Sequence, residues 1–195
     1  MDQEQVKELL LQSLEHEKCG VDLYETALQC VRNDDLRQEF QKYHQQTRSH
    51  VRILTDLCLR MDIDPGAMTP GREVVRRIGH SLVEAMRRAG MAASPEAAEI
   101  VACECVVLAE TKDHLNWELI GQVARAAEGE RKQALMDAYE EVEDQEDEHL
   151  YHARGWAREL RIQALGLEAV LPPPEERRHV KTAVAAARAQ RSAGR

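Results

Sequence analysis

The chain has 195 residues, long enough to bury a substantial core as a single domain. Only 4% of the residues are aromatic, no stretch alternates β-branched with polar residues, and Ala, Leu, Glu, Gln and Arg dominate, which favours helix throughout. The formal net charge of −9 is unevenly placed: six Lys/Arg against two Glu put residues 172–195 at +4 and leave the preceding body at −13, an acidic body that argues against a nucleic-acid-binding domain.

The opening MDQEQVKELL lacks a basic-then-apolar signal segment, and no run reaches the roughly 18 apolar residues of a membrane span. A first long helix is predicted from about Gln3 to about Val31, ending at Asn33-Asp34-Asp35. That acidic cluster also caps a second helix, because short polar side chains satisfy its free N–H groups. The second helix runs to about Met61, where Asp64-Pro65-Gly66 stops it. Thr69-Pro70 then opens an amphipathic segment that ends at Gly90, with Val74, Val75, Ile78, Leu82, Val83 and Met86 on one side.

Ser94-Pro95-Glu96 is an N-terminal signature for the next long helix, which extends to about Ala127 before Gly129. The last long helix spans about Glu130 to Leu165, followed by Gly166. The reading divides the chain into a helical domain over residues 1–166 and a C-terminal extension over 167–195, made of the Pro172-Pro173-Pro174 spacer and a basic, Ala/Arg-rich segment that could itself be helical. Four helices of about 30 residues, each ~45 Å long, are expected to form a bundle of two antiparallel hairpins. The two tight connections make the hairpins, and the long middle connection, with its own helix, crosses between them.

Five cysteines (Cys19, Cys30, Cys58, Cys103 and Cys105) form no C-x-x-C pair and lie within helical patterns. Such usage suggests reduced, mostly buried thiols and a soluble cytoplasmic protein.

Chemistry concentrates on the last long helix. There Glu146 and His149 form E-x-x-H on a face otherwise made of Leu135, Tyr139, Val142, Ala153, Trp156 and Leu160. Residues three apart share a helix face, and burying a lone carboxylate or imidazole is costly. A metal ion is the simplest common partner, since carboxylate oxygen with imidazole nitrogen suits iron, manganese or zinc. The first and third long helices repeat one another. Glu17 is followed seven residues later by Tyr24, and Glu110 at the same offset by Trp117, each Glu interrupting an apolar stripe. The second and fourth align when His50 is set against His149. Phe40 then meets Tyr139, Tyr43 meets Val142, and Thr47 falls opposite Glu146.

On these residues the chain resembles the ferritin-like di-iron-carboxylate superfamily, in which two helices each give one Glu and two each give E-x-x-H. The resemblance covers about residues 5 to 162 and implies an all-α, ferritin-like four-helix bundle with a metal site at Glu17, His50, Glu110, Glu146 and His149. It implies iron, as two ions or as one if the Thr47 side is vacant, or manganese. One position departs, since Thr47 stands where the family has Glu.

Three carboxylates with neutral imidazoles give −3 against +4 for two divalent ions, and a neutral hydroxyl is a poor ligand beside a carboxylate. Three outcomes follow: a second ion that is weak, absent or supported by solvent; substitution by His44 or His114; or a polar core without metal. Three carboxylates clustered without a cation would force raised pKa values and cost stability, which favours retained metal.

Among the remaining histidines, His16, His80, His152 and His179 read as solvent-facing. Tyr24, Tyr43 and Trp117 read as core aromatics that would be redox-active only if a metal lay beside them. Two functions are compatible with this pattern. One is a metal-dependent oxidoreductase acting on dioxygen, peroxide or Fe(II), its electrons coming from an external donor because the chain has no C-x-x-C iron site. The other is a non-catalytic metal-binding or stress-associated scaffold. A bundle of this size could also form a homodimer; no membrane or nucleic-acid partner is expected.

Overall fold

A computed structural model describes residues 1–170, and among them it is all-helical, with five helices and no strand. They are α1 (Gln3–Cys30), α2 (Asp34–Arg60), α3 (Pro70–Ala92), α4 (Pro95–Ala126) and α5 (Gly129–Ala164). The Pro-rich spacer, the basic segment with its candidate helix, and His179 lie outside the described residues.

The helix starts are written in local chemistry. Asp2, Asn33, Thr69 and Ser94 each cap a helix by accepting from backbone N–H groups of its first turn, and Pro70 and Pro95 occupy first-turn positions where no N–H is needed. Only α5 starts without a side-chain cap; Gly129, at φ 61°, supplies the turn that separates it from α4.

Two apolar clusters hold the long helices together. In the first, the early part of α1 (Val6, Leu10, Leu14) meets the end of α2 (Leu54, Leu57, Met61), the end of α4 (Trp117, Ile120, Ala124) and the start of α5 (Leu135, Ala138, Val142). In the second, the other ends meet: Leu23 and Tyr24 of α1, Phe40 and Tyr43 of α2, Ala102 and Val106 of α4, and Ala153 and Trp156 of α5. Start against end shows that α1 and α2 run antiparallel, as do α4 and α5. Each long helix thus passes from one apolar cluster to the other, and the sequence between carries its buried polar residues.

The middle helix α3 packs on α1 and α4. Gly79 permits the approach, since a Cβ there would stand 2.5 Å from Cβ of Cys19. Its buried stripe is Arg72, Val75, Gly79, Val83 and Met86. Val74 and Ile78, expected on that face, are 55% and 56% exposed. The close contact through Gly79 centres the stripe one residue further round, which leaves both on the outer flank. Arg72 anchors the helix, with Nε 2.7 Å from Oε2 of Glu15 and Nη1 donating to the carbonyls of Pro65 and Ala67. Arg76 adds a second bond to Glu15 at 2.6 Å. All five cysteines are free, four of them buried and Cys30 half-buried.

Candidate metal centre

Between the two apolar clusters every long helix contributes a buried polar group: Glu17 from α1, His50 from α2, Glu110 from α4, and Glu146 with His149 from α5. The five residues expected from the sequence come together. Glu17, His50 and Glu146 form one group, and Glu110, Glu146 and His149 form another, with the ligand-competent atoms of each group within 4.8 Å of one another. Glu146 belongs to both. Its Oε1 lies 3.0 Å from Nδ1 of His50 and 3.5 Å from Nδ1 of His149. Nδ1 of His50 is also 3.3 Å from Oε1 of Glu17, and Nδ1 of His149 is 3.6 Å from Oε2 of Glu110.

The outer hydrogen bonds fix which atoms face inward. Nε2 of His50 meets Oε1 of Gln145 at 3.2 Å, and Nε2 of His149 meets Oε1 of Gln46 at 3.0 Å. A carboxamide oxygen only accepts, so each Nε2 carries the proton and each Nδ1 presents a lone pair to the carboxylates. The amide of Gln145 is itself oriented, because its Nε2 donates to the Glu141 carbonyl at 2.9 Å. The two carboxylates outside α5 are held just as reciprocally. Tyr24 of α1 donates to Oε1 of Glu110 at 2.6 Å, while Trp117 of α4 donates through Nε1 to Oε1 of Glu17 at 2.9 Å.

With both imidazoles neutral, what remains at the centre is a set of buried atoms with no hydrogen-bond donor: Oε2 of Glu17, Nδ1 of His50, Oε2 of Glu110, both oxygens of Glu146 and Nδ1 of His149. Lone pairs facing lone pairs in an apolar interior call for a cation. The titration behaviour agrees. Burial disfavours a charged His50, yet the Glu17 charge and hydrogen bonding to Glu146 and Glu17 outweigh it and push the imidazole up to about 11. Burial pushes Glu146 up to about 7, against the pull of His50 and His149 and with the charges of Glu110 and Glu17 adding to the rise. Burial would raise Glu110 too, but His149 and the Tyr24 hydroxyl hold it below the usual range. A second proton, on Nδ1 of His50, would meet the same need for positive charge as a metal ion. Oxygen and imidazole donors of this kind match iron, manganese or zinc.

Thr47 is buried on α2 and brings no carboxylate where its aligned counterpart Glu146 brings one. The two histidines weighed as substitutes join neither group. His114 turns outward to Oδ1 of Asp147 at 2.6 Å, and His44 stays half-buried one turn before Thr47. Two other expectations are corrected. His152 is buried, with Nδ1 2.8 Å from the Tyr43 hydroxyl, and half-buried His16 donates to the Ala109 carbonyl at 3.0 Å. Both are drawn in by contacts between helices, which periodicity along one helix does not register.

Asp113 was not anticipated. It is buried one turn after Glu110, its Oδ1 has no hydrogen-bond partner, and burial together with the charges of Glu17, Glu146 and Glu110 pushes its carboxyl well above the usual range. The supporting Gln46 and Gln145 were missed as well, although each immediately precedes the aligned Thr47 and Glu146. Compared with family models, curated proteins and solved structures, the chain shows no match.

Proposed function

We propose that this chain is a ferritin-like metal protein whose centre is Glu17, His50, Glu110, Glu146 and His149, and that it works as an iron- or manganese-dependent oxidoreductase on dioxygen, peroxide or Fe(II). The observation that carries the reading is the position of Glu146 between two three-residue groups, each completed by an imidazole whose Nδ1 lone pair faces inward. The packing supports the fold side of the proposal: two antiparallel helix pairs, α1/α2 and α4/α5, with α3 carried on the connection between them.

Iron or manganese held there would supply redox chemistry. The residues supply its setting. Glu146 serves both halves, Glu17 and Glu110 close them, and Trp117 and Tyr24 keep those two carboxylates from rotating away. Gln46 and Gln145 keep both histidines in the ligating tautomer, the outer-shell role that commonly tunes a metal site. Asp113 bears on the charge deficit left by Thr47. With it, four buried carboxylates would face two divalent ions, although Asp113 itself belongs to neither ligand group.

A second reading rests on Thr47: a centre short of one ligand could hold a single ion at Glu110, Glu146 and His149 and serve as a scaffold without turnover. Metal analysis of protein purified without chelator separates the two. Two equivalents of iron or manganese with turnover of peroxide or Fe(II) supports the oxidoreductase, and Thr47→Glu should then raise the stoichiometry if the native centre fills incompletely. One equivalent without turnover favours the scaffold. No metal, together with unchanged melting on Glu146→Ala, removes the site from both.

A further inference from the structure

A cleft of about 730 Å³ opens between α4 and α5, and its lining includes Glu146. That volume falls in the range of small-molecule sites rather than of a single ion. Its walls are aromatic and aliphatic, from Trp117, Tyr139, Tyr151, Leu115 and Leu119. Four carboxylates line it, those of Glu118, Glu143, Glu146 and Asp147, against one guanidinium, that of Arg125. The guanidinium is already engaged, lying 5.2 Å from the centre of the Tyr139 ring, and Tyr139 in turn donates to Glu143.

Among the described residues, Glu118, Glu143 and Asp147 join no group able to chelate a metal. Asp147 meets His114 of the same lining at 2.6 Å and Glu143 accepts from Tyr139, and with Glu118 they leave a net negative field over an apolar surface. Such a field attracts cations and repels anions, while the apolar side chains of Leu115 and Leu119, 46% and 41% exposed, favour a cation with an apolar body over a hydrated ion. The floor residue is the buried Glu146, 1% exposed, with both oxygens lacking a hydrogen-bond partner.

We propose that this cleft binds an alkyl- or arylammonium ion and presents it to the centre through Glu146. As the assignment of a substrate class, this rests on the metal-centre reading; as a binding site, it stands on the cleft. Trp117 connects the two, because its ring lines the cleft and its Nε1 holds Glu17.

The test uses three probes of one shape and different charge: benzylammonium, benzyl alcohol and benzoate. They are titrated at neutral pH into the full chain, with metal content measured on the same sample. Binding is read from the Trp117 indole N–H resonance, assigned with Trp156→Phe. Benzylammonium should bind saturably and about tenfold tighter than benzyl alcohol, benzoate should not bind, and Glu118→Gln should weaken the ammonium several-fold. Leu119→Trp, a change at a position 41% exposed and so tolerable to the fold, should fill the cleft and abolish binding.

Equal affinity for benzylammonium and benzyl alcohol, or binding that survives Leu119→Trp, overturns the proposal. A metal-loaded chain that binds none of the three also overturns it and leaves the metal centre standing. A metal-free chain that still binds benzylammonium supports the cleft, and with unchanged melting on Glu146→Ala it removes the metal reading instead.

Discussion

Replacing Glu146 by Gln should stabilise the metal-free protein and cripple the loaded one, an inversion that few buried substitutions would show. The neutral amide copies the protonated carboxyl in shape. In the folded chain that carboxyl is raised from 4.5 to about 7, which corresponds to roughly 3 kcal/mol against its ionised form. Because the folded value lies above the unfolded one, the native state is fully favoured below 4.5, and that advantage is lost as pH rises through 7. The wild-type chain, stripped with chelator, should therefore be about 3 kcal/mol less stable than Glu146→Gln at pH 8 and less than about 1 kcal/mol apart at pH 5. For a chain of this length the pH 8 difference is roughly 6–12 °C in Tm.

Urea unfolding at the two pH values reads it directly. The change in the difference between them, about 2–3 kcal/mol, is free of any constant cost of fitting the amide. With metal restored, the order should reverse, since the variant loses the one side chain common to both ligand groups. Parallel pH profiles for the two stripped proteins would refute the reasoning, because Glu146 would then bear no electrostatic strain for a cation to relieve.

Tyr24→Phe leaves Oε1 of Glu110 without its donor and should cost about 1–3 kcal/mol by chemical denaturation. Trp117→Phe should do the same at Glu17, with additional loss from its smaller ring. Gly79→Ala drives a methyl to 2.5 Å from Cβ of Cys19 and should lower stability by about 1–3 kcal/mol or more, part of it recovered in melting curves by Cys19→Gly. Glu15→Gln strips the buried Arg72 of its carboxylate partner and should cost about 3–5 kcal/mol near neutrality. Burial alone would raise Glu15, but hydrogen bonds from Arg76 and Arg72 hold it below its ordinary value of 4.5. Its stabilisation is complete above 4.5 and disappears on acidification through the lowered value. The variant's acid-unfolding limb should therefore be flatter than that of the wild type.

The helix limits were legible because capping is local. Asn33, Thr69 and Ser94 satisfy N–H groups two or three residues away, so sequence proximity and spatial proximity coincide. The buried polar cluster was legible for a different reason: Glu17, Glu110, Glu146 and His149 interrupt apolar stripes, His50 aligns with His149, and all five are buried. Asp113 escaped because Lys112 and His114 flank it, which makes a buried position read like a solvated run. Gln46 and Gln145 escaped because a half-exposed glutamine looks ordinary until its oxygen is seen against a histidine of another helix. The face of α3 was set by Gly79 meeting Cys19, and no periodicity within α3 encodes the partner that a glycine lets in.

The same correspondence that aligned the helices also explains why the centre is unequal. The offset carrying Glu17 to Glu110 and Tyr24 to Trp117 carries Gly20 to Asp113, and the offset carrying His50 to His149 carries Thr47 to Glu146. Gly20 and Thr47 face each other: a Cβ on Gly20 would lie 3.1 Å from Cγ2 of Thr47. Beside α1 and α2 the space thus holds a methyl group against a bare backbone. Its counterpart beside α4 and α5 holds two carboxylates, one of them shared by both ligand groups. Negative charge missing from one half has its counterpart in the other. That richer half also adjoins the α4/α5 cleft, so the residues with most reason to hold a cation are the ones nearest to what the cleft admits.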